Sequence, residues 1–174
     1  MDGNRVISIF GTGRAVEADA QYELAYRIGK ALGGAGFATA NGGYGGTMRA
    51  GAKGAAEAGG RVIGVTCSAF KSRANEYVTD EIVTQSLTER LSRLIELGSG
   101  YIVLNGGTGT LLELAEVWEL KNKGFLDRAK PIILVGGFWR PLVDLLERDD
   151  PGCSRYVSFA VDAEEAVRIV VDAL

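Results

Sequence analysis

The stretch Tyr101-Ile102-Val103-Leu104-Asn105-Gly106-Gly107-Thr108-Gly109-Thr110-Leu111-Leu112-Glu113, continuing to Asn122, decides how this chain is read. Tyr101 to Leu104 is a short unbroken apolar run, which suits a strand covered on both faces. Asn105 to Gly109 breaks the run. Three glycines there remove the Cβ atoms that would hold a ligand off the main chain, and they permit a sharp turn. A helix is expected from Thr110 onward. The first amides of a helix have no intrahelical acceptor and lie at the positive end of its dipole, so a bare turn at that place is a ready anion site, and a phosphate fits it. The same residues have a plainer reading. Thr110-Leu111-Leu112-Glu113 is also a capping box, in which Glu113 folds back to close the helix start. A capping box alone does not call for three glycines.

The chain has 174 residues, of which 47% are hydrophobic, enough for one well-buried core and short for two. A single domain over residues 1–174 is expected. Charged residues make up 24% and the net charge is −3, with no basic run dense enough for a nucleic-acid footprint. No polymer partner is expected. No apolar run approaches a membrane span, and the N-terminal MDGNRVISIF lacks the basic and apolar segments of a leader. Cys67 and Cys153 sit in no metal-ligand spacing and read as two ordinary thiols of a reducing compartment. The expectation is a soluble cytoplasmic protein. Histidine is absent, which removes the commonest general base and the commonest metal ligand. Any catalysis then falls to carboxylates, Arg, Lys, Tyr or Ser/Thr.

Outward from the central stretch, apolar runs and helical periods alternate. Strands are expected at Arg5 to Phe10, Phe37 to Ala40, Arg61 to Thr66, Glu81 to Thr84, Pro131 to Val135 and Val157 to Ala160. Helices are expected at Ala18 to Leu32, after Met48 to about Ala58, at Ser86 to Leu97, Trp139 to Arg148 and Asp162 to Ala173. Gly33, Gly34 and Gly36 should stop the first helix. Cys67 to Thr79 has neither period and is long for a connection, so it reads as a functional loop or lid. This alternation predicts an α/β fold, a doubly wound, Rossmann-like parallel sheet with helices on both faces, binding its ligand at the carboxyl ends of the strands. Three glycine turns fall at that edge: Gly11 to Arg14, Asn41 to Met48 and Asn105 to Thr110. None carries the full dinucleotide fingerprint, and the Walker pattern is absent. A redox dinucleotide or an ATPase role is disfavoured.

Two charges run against the apolar pattern. In the helix near Ser86, Leu87, Leu91, Leu94 and Ile95 form the expected buried stripe, and Arg90 projects inside that arc between Leu94 and Leu97. Arg93 projects outward and has Glu89 as an i,i+4 partner, so it reads as surface. An inward arginine needs a carboxylate, a ligand phosphate or another subunit. Its alternative is a snorkelling surface residue. Glu113 is the second inward charge, projecting between Val117 and Leu120 in what reads as the first turn of its helix. An anion in the turn would repel it, so the arrangement calls for a cation such as Arg90 nearby, as functional sites often do.

These residues resemble the LOG (lonely guy) family, also described as lysine decarboxylase-like. Its signature PGGxGTxxE reads Asn105-Gly106-Gly107-Thr108-Gly109-Thr110-Leu111-Leu112-Glu113 here, with asparagine in place of proline. The upstream GGGxxGLMG reads Asn41-Gly42-Gly43-Tyr44-Gly45-Gly46-Thr47-Met48-Arg49, with Asn41, Thr47 and Arg49 in place of a glycine, the leucine and a glycine. The family's essential arginine falls on Arg90.

The resemblance implies a nucleoside 5′-monophosphate phosphoribohydrolase, which splits the N-glycosidic bond into free base and ribose 5-phosphate. It implies Arg90 and Glu113 as the catalytic pair. Gly106, Gly107, Thr108, Gly109, Thr110, Gly42, Gly43, Gly46 and Met48 would hold phosphate and nucleotide, with the phosphate on the amides of Gly106 to Leu111. No metal or organic cofactor is implied. Relatives of the same fold include a molybdenum cofactor carrier, so a non-catalytic carrier or sensor of a phosphorylated small molecule is the alternative. Relatives are dimers, and a homodimer or higher homo-oligomer is expected here too. Leu111, Leu114, Val117, Trp118 and Leu120 spread over several faces of the central helix, more than one sheet face covers, unless a neighbouring helix of the same chain covers the surplus.

Overall fold

The computed structural model describes residues 5–174. The reading of the first residues, Met1 to Asn4, lies outside them. Seven strands form one parallel sheet in the order β4-β3-β2-β1-β5-β6-β7. They are β1 (Val6–Phe10), β2 (Ala38–Asn41), β3 (Val62–Cys67), β4 (Asp80–Thr84), β5 (Gly100–Val103), β6 (Ile132–Val135) and β7 (Ser158–Ala160). The helices are α1 (Ala20–Gly34), α2 (Thr47–Glu57), α3 (Leu87–Leu97), α4 (Thr108–Asn122), α5 (Arg140–Asp149) and α6 (Ala163–Ala173). This is the doubly wound, Rossmann-like α/β architecture that the alternation predicts.

Alternate residues of the strands feed two apolar cores. On one face Tyr101 and Val103 of β5 pack with Leu91, Leu94 and Ile95 of α3, Leu114 and Val117 of α4, and Val143 of α5. On the other face Ile102 and Leu104 pack with Tyr22, Ala25 and Ile28 of α1, Ala50 of α2, and Ala166 and Val170 of α6. Two-sided cover is why the central strands read as unbroken apolar runs rather than alternating ones. The Tyr101 hydroxyl donates to the Ile95 carbonyl at 2.7 Å, so β5 fixes the last turn of the helix that carries Arg90.

β1 lies between β2 and β5, pairing Ser8 with both Ala40 and Tyr101. The chain runs from β1 outward in one direction through β2, β3 and β4, and resumes on the other side at β5. That reversal is a topological switch point, where loops leave β1 and β5 in opposite directions and open a crevice at their carboxyl ends.

Several boundaries differ from the sequence expectation. α1 continues through Gly33 and Gly34, and the chain turns at Gly36, where φ is +84°. Gly33 serves packing rather than termination: α1 lies so close on α2 that a Cβ there would stand 2.9 Å from the Ala55 carbonyl oxygen. α4 starts at Thr108, two residues earlier than Thr110, because extended Gly107 (φ −94°, ψ −153°) already acts as its cap residue. Glu113 therefore lies in the second turn, no side chain caps the helix, and the capping box does not form. A two-way cap forms instead on α3, where Ser86 Oγ accepts from the Glu89 amide (3.1 Å) and Glu89 accepts from the amide of Gln85, the residue before the cap (2.7 Å). With Glu89 so engaged, Arg93 pairs with Glu96 at 3.0 Å. Leu87 is 47% exposed rather than part of the buried stripe.

Trp118 is also covered within the chain. Its Nε1 donates to the Cys153 carbonyl at 2.9 Å, on a 3-10 turn, Cys153–Tyr156, that the sequence reading missed. Of the surplus apolar residues on α4, Leu111 remains 36% exposed, beside Leu112 at 42%. Among the described residues no helix is long and apolar enough to cross a membrane.

Candidate active site

The crevice at the switch point is a cleft of about 710 Å³. Gly11 to Arg14, after β1, and Gly107 to Thr110, at the start of α4, form one part of its lining; Tyr44 and Met48, after β2, and Phe70, after β3, form another. Arg90 and Glu113 complete it. The turns lock to one another through backbone bonds from Thr12 N to Asn105 O (3.2 Å) and from Thr47 N to Thr12 O (2.9 Å).

The first α4 amide to find a helical acceptor is that of Leu111, which donates to the Gly107 carbonyl at 2.9 Å. The amides of Thr108, Gly109 and Thr110 precede it and have no acceptor within the helix. Leu111 is thus removed from the amides expected to cradle an anion. Gly106 does not line the cleft. A Cβ there would collide with Thr110 Oγ1 and Cβ, so this glycine makes room for the Thr110 side chain.

Arg90 is buried at 8% exposure, as its inward projection requires. Three neighbours make that position tolerable. Its Nε donates to the Val65 carbonyl at 2.8 Å, its guanidinium carbon lies 5.6 Å from the Tyr44 ring centroid, and its Nη1 lies 3.8 Å from Glu113 Oε1. Gly42 completes the niche, because a Cβ at that residue would occupy the place of the guanidinium.

Glu113 is partly buried, its side chain 14% exposed. Burial pushes its carboxyl up to about 7, and the attraction of Arg90 only partly counters that rise. Desolvation winning over a single ion pair is the usual outcome when the pair is long and the carboxylate has few other donors. A carboxyl that titrates near neutrality, inside a cleft and beside unpaired amides, can either take up or release a proton at ordinary pH.

The structure thus brings Arg90, Glu113, Gly107, Thr108, Gly109, Thr110 and Met48 to one cleft. Gly42, Gly43 and Gly46 lie behind it. Gly43 donates its amide to Asn41 Oδ1 at 2.8 Å, and Gly46, at φ +65°, packs against the backbone of Thr12 and Gly13. Tyr44, Phe70 and the Gly11 to Arg14 turn line the cleft; their segments read as edge turns and a functional loop, but neither aromatic ring stood out as a site residue. Among the described residues no cluster of three or more Cys, Asp or Glu side chains is placed to hold a metal ion.

A family model described as "Possible lysine decarboxylase" matches residues 48–170. The chain belongs to this family, the LOG family. It is 31% identical over 131 residues to an uncharacterized protein of Archaeoglobus fulgidus, a match covering 75% of this chain and 83% of that one. It is 34% identical over 116 residues to the cytokinin riboside 5′-monophosphate phosphoribohydrolase of Mycobacterium tuberculosis, covering 65% of this chain and 61% of that enzyme. Among solved structures, the molybdenum cofactor carrier protein of Chlamydomonas reinhardtii superposes with a TM-score of 0.78 at 26% identity, covering 98% of both chains.

In this LOG-family chain the residues that depart from the signature have structural tasks. Asn41 holds the second glycine turn closed, accepting from Gly43 and donating to the Met48 carbonyl at 3.1 Å. Thr47 adds a hydroxyl bond to the Thr12 carbonyl at 3.0 Å. Arg49 binds Glu17 of the α1 approach and Glu76 of the Cys67 to Thr79 loop, tying that loop down next to the cleft. Asn105 accepts the Thr12 amide through its carbonyl.

Proposed function

We propose that the protein hydrolyses the N-glycosidic bond of a nucleoside 5′-monophosphate, yielding free base and ribose 5-phosphate. The observation that carries this reading is the Glu113 carboxyl, titrating near 7 beside Arg90 in a cleft that also exposes the unpaired amides of α4. Family membership and the Mycobacterium tuberculosis relative support it.

The 5′-phosphate sits on the amides of Thr108, Gly109 and Thr110 at the positive end of α4, which anchors the ribose. As the C1′–N bond lengthens, its electron pair leaves with the base and the sugar gains oxocarbenium character. Ionised Glu113 stabilises that charge, engages the ribose hydroxyls and orients water toward C1′. The water oxygen bonds to C1′ and its proton passes to the carboxylate, which then delivers it to the departing nitrogen, so that Glu113 ends ionised as it began. The net change is one water added across the bond. Arg90 keeps Glu113 in place and offsets the repulsion between its carboxylate and the phosphate.

The second reading is a carrier or sensor that binds a phosphorylated small molecule without chemistry. The full-length likeness to the molybdenum cofactor carrier favours it. Incubation with the adenine, guanine, cytosine and uracil monophosphates separates the two. Released base supports the hydrolase, and binding with every nucleotide recovered intact supports the carrier. We further infer a homodimer or higher homo-oligomer in which a second copy covers exposed Leu111 and Leu112 beside the cleft.

A further inference from the structure

We propose that Tyr44 and Phe70 form the seat of the substrate base, and that this seat selects nucleotides by ring size rather than by their exocyclic groups. The inference rests on the nucleotide reading of the cleft and adds how its base end is recognised.

Both rings line the cleft, and the backbone of one residue, Cys67 at the end of β3, holds both segments. The Cys67 amide donates to the Tyr44 hydroxyl at 2.8 Å, and the Cys67 carbonyl accepts from that hydroxyl at 3.3 Å and from the Phe70 amide at 3.0 Å. The ring centroids are 6.0 Å apart and the planes are tilted by 57°, which makes a corner rather than a parallel slot. One ring can stack on a planar base while the other meets its edge.

The corner stands at the correct end of the site. Tyr44 lies against the Arg90 guanidinium, which in turn faces Glu113. A nucleotide whose C1′ lies beside Glu113 therefore carries its base toward these rings. Phe70 is also poorly explained as a core residue. It is 40% exposed and also borders a second cavity, of about 640 Å³, that its own loop lines.

Among the described residues the cleft lining contains no Asn, Gln or Asp side chain. Of the lining groups able to read a base edge, Arg90 and Glu113 face each other, the Tyr44 hydroxyl is held by Cys67, and Arg14 and the threonines stand on the turn after β1 and at the start of α4, so the corner itself offers adenine and guanine ring faces rather than a donor and acceptor pattern. Stacking is tolerant of base identity because every base has a π-face, and it grows with ring area.

The test measures binding of AMP, GMP, CMP, UMP and ribose 5-phosphate in a Glu113→Gln background, where substrate is not consumed. AMP and GMP should bind within a few-fold of each other and more tightly than CMP and UMP. Adding Phe70→Ala should weaken AMP and GMP by about tenfold, leave ribose 5-phosphate unchanged, and be rescued by Phe70→Trp. Phe70 is exposed enough for the alanine variant to fold, and circular dichroism checks it. Unchanged AMP binding, an equal loss for ribose 5-phosphate, or a hundredfold preference between AMP and GMP overturns the seat alone. If no nucleotide binds and the unmutated protein releases no base, the nucleotide reading fails and the seat with it.

Discussion

Arg90 Nη1 stands 3.8 Å from Glu113 Oε1, close enough to restrain the carboxylate and too far for a direct hydrogen bond to it. The pair joins α3 to α4 across the mouth of the switch point. Burial outweighs the attraction of so long a pair and pushes the carboxyl up to about 7.

The first prediction follows from that value. If ionised Glu113 is needed for turnover, kcat/KM should rise with pH through an apparent pKa near 7 and level off above it. Glu113→Gln should lower kcat by about a hundredfold or more and abolish the rising limb. A variant retaining both the rate and the limb would remove Glu113 from the mechanism.

Stability should carry the same signature with a defined sign. The folded value of about 7 lies above the ordinary 4.5, so between these limits the folded protein holds a proton that the unfolded chain has released. Glu113 therefore favours folding at low pH, and that contribution is lost as pH rises through 7. The shift is worth on the order of 3 kcal/mol. Urea melts should find Glu113→Gln more stable than the parent at about pH 8, and the advantage should vanish near pH 4.5. An advantage independent of pH would contradict the assignment.

Replacing Arg90 tests the partner. Arg90→Lys keeps the charge but cannot both donate to the Val65 carbonyl through a guanidinium and reach Glu113, since arginine's fork is what spans the two. Turnover should fall about tenfold to a hundredfold, and the rising limb of the pH profile should move above 7 as Glu113 loses part of its counter-charge. A limb that stays in place would mean that Arg90 does not act through Glu113.

The anion cradle is tested at a residue that does not touch the ligand. Gly106→Ala places a methyl group where the Thr110 side chain packs, and should displace the first turn of α4. KM for AMP should rise by about tenfold or more, a loss comparable with one or two charge-assisted hydrogen bonds. An unchanged KM would separate the phosphate from this turn.

Assembly is tested on α4. Trp118 is sealed by the 3-10 turn of its own chain, so Trp118→Glu would unfold the protein rather than divide it. Leu112→Glu puts a charge on the exposed side instead. Sedimentation should show an oligomer for the parent and a smaller species for the variant. A monomeric, active parent would exclude a shared site.

How much of this was legible in the sequence depends on how local each determinant is. The sheet was legible because two-sided burial forces unbroken apolar runs such as Ile132 to Val135, and glycines mark where β1, β2, β5 and β6 end. Arg90 and Glu113 were visible because helical geometry fixes where they project. The start of α4 was not, since Gly107 caps the helix through its extended backbone and leaves no side-chain mark. Gly42 and Gly106 read as ligand-binding glycines, whereas they make room for Arg90 and Thr110, a packing fact between distant or folded-back segments. Tyr44 and Phe70 escaped notice for a similar reason. They meet only because Cys67 ends β3 between them.

The most direct test of the central claim is product analysis. The protein should convert AMP to adenine and ribose 5-phosphate in equal amounts at about pH 7.5, and Glu113→Gln should do so about a hundredfold more slowly while still binding AMP. Recovery of intact nucleotide from the unmutated protein, across all four monophosphates, would contradict it.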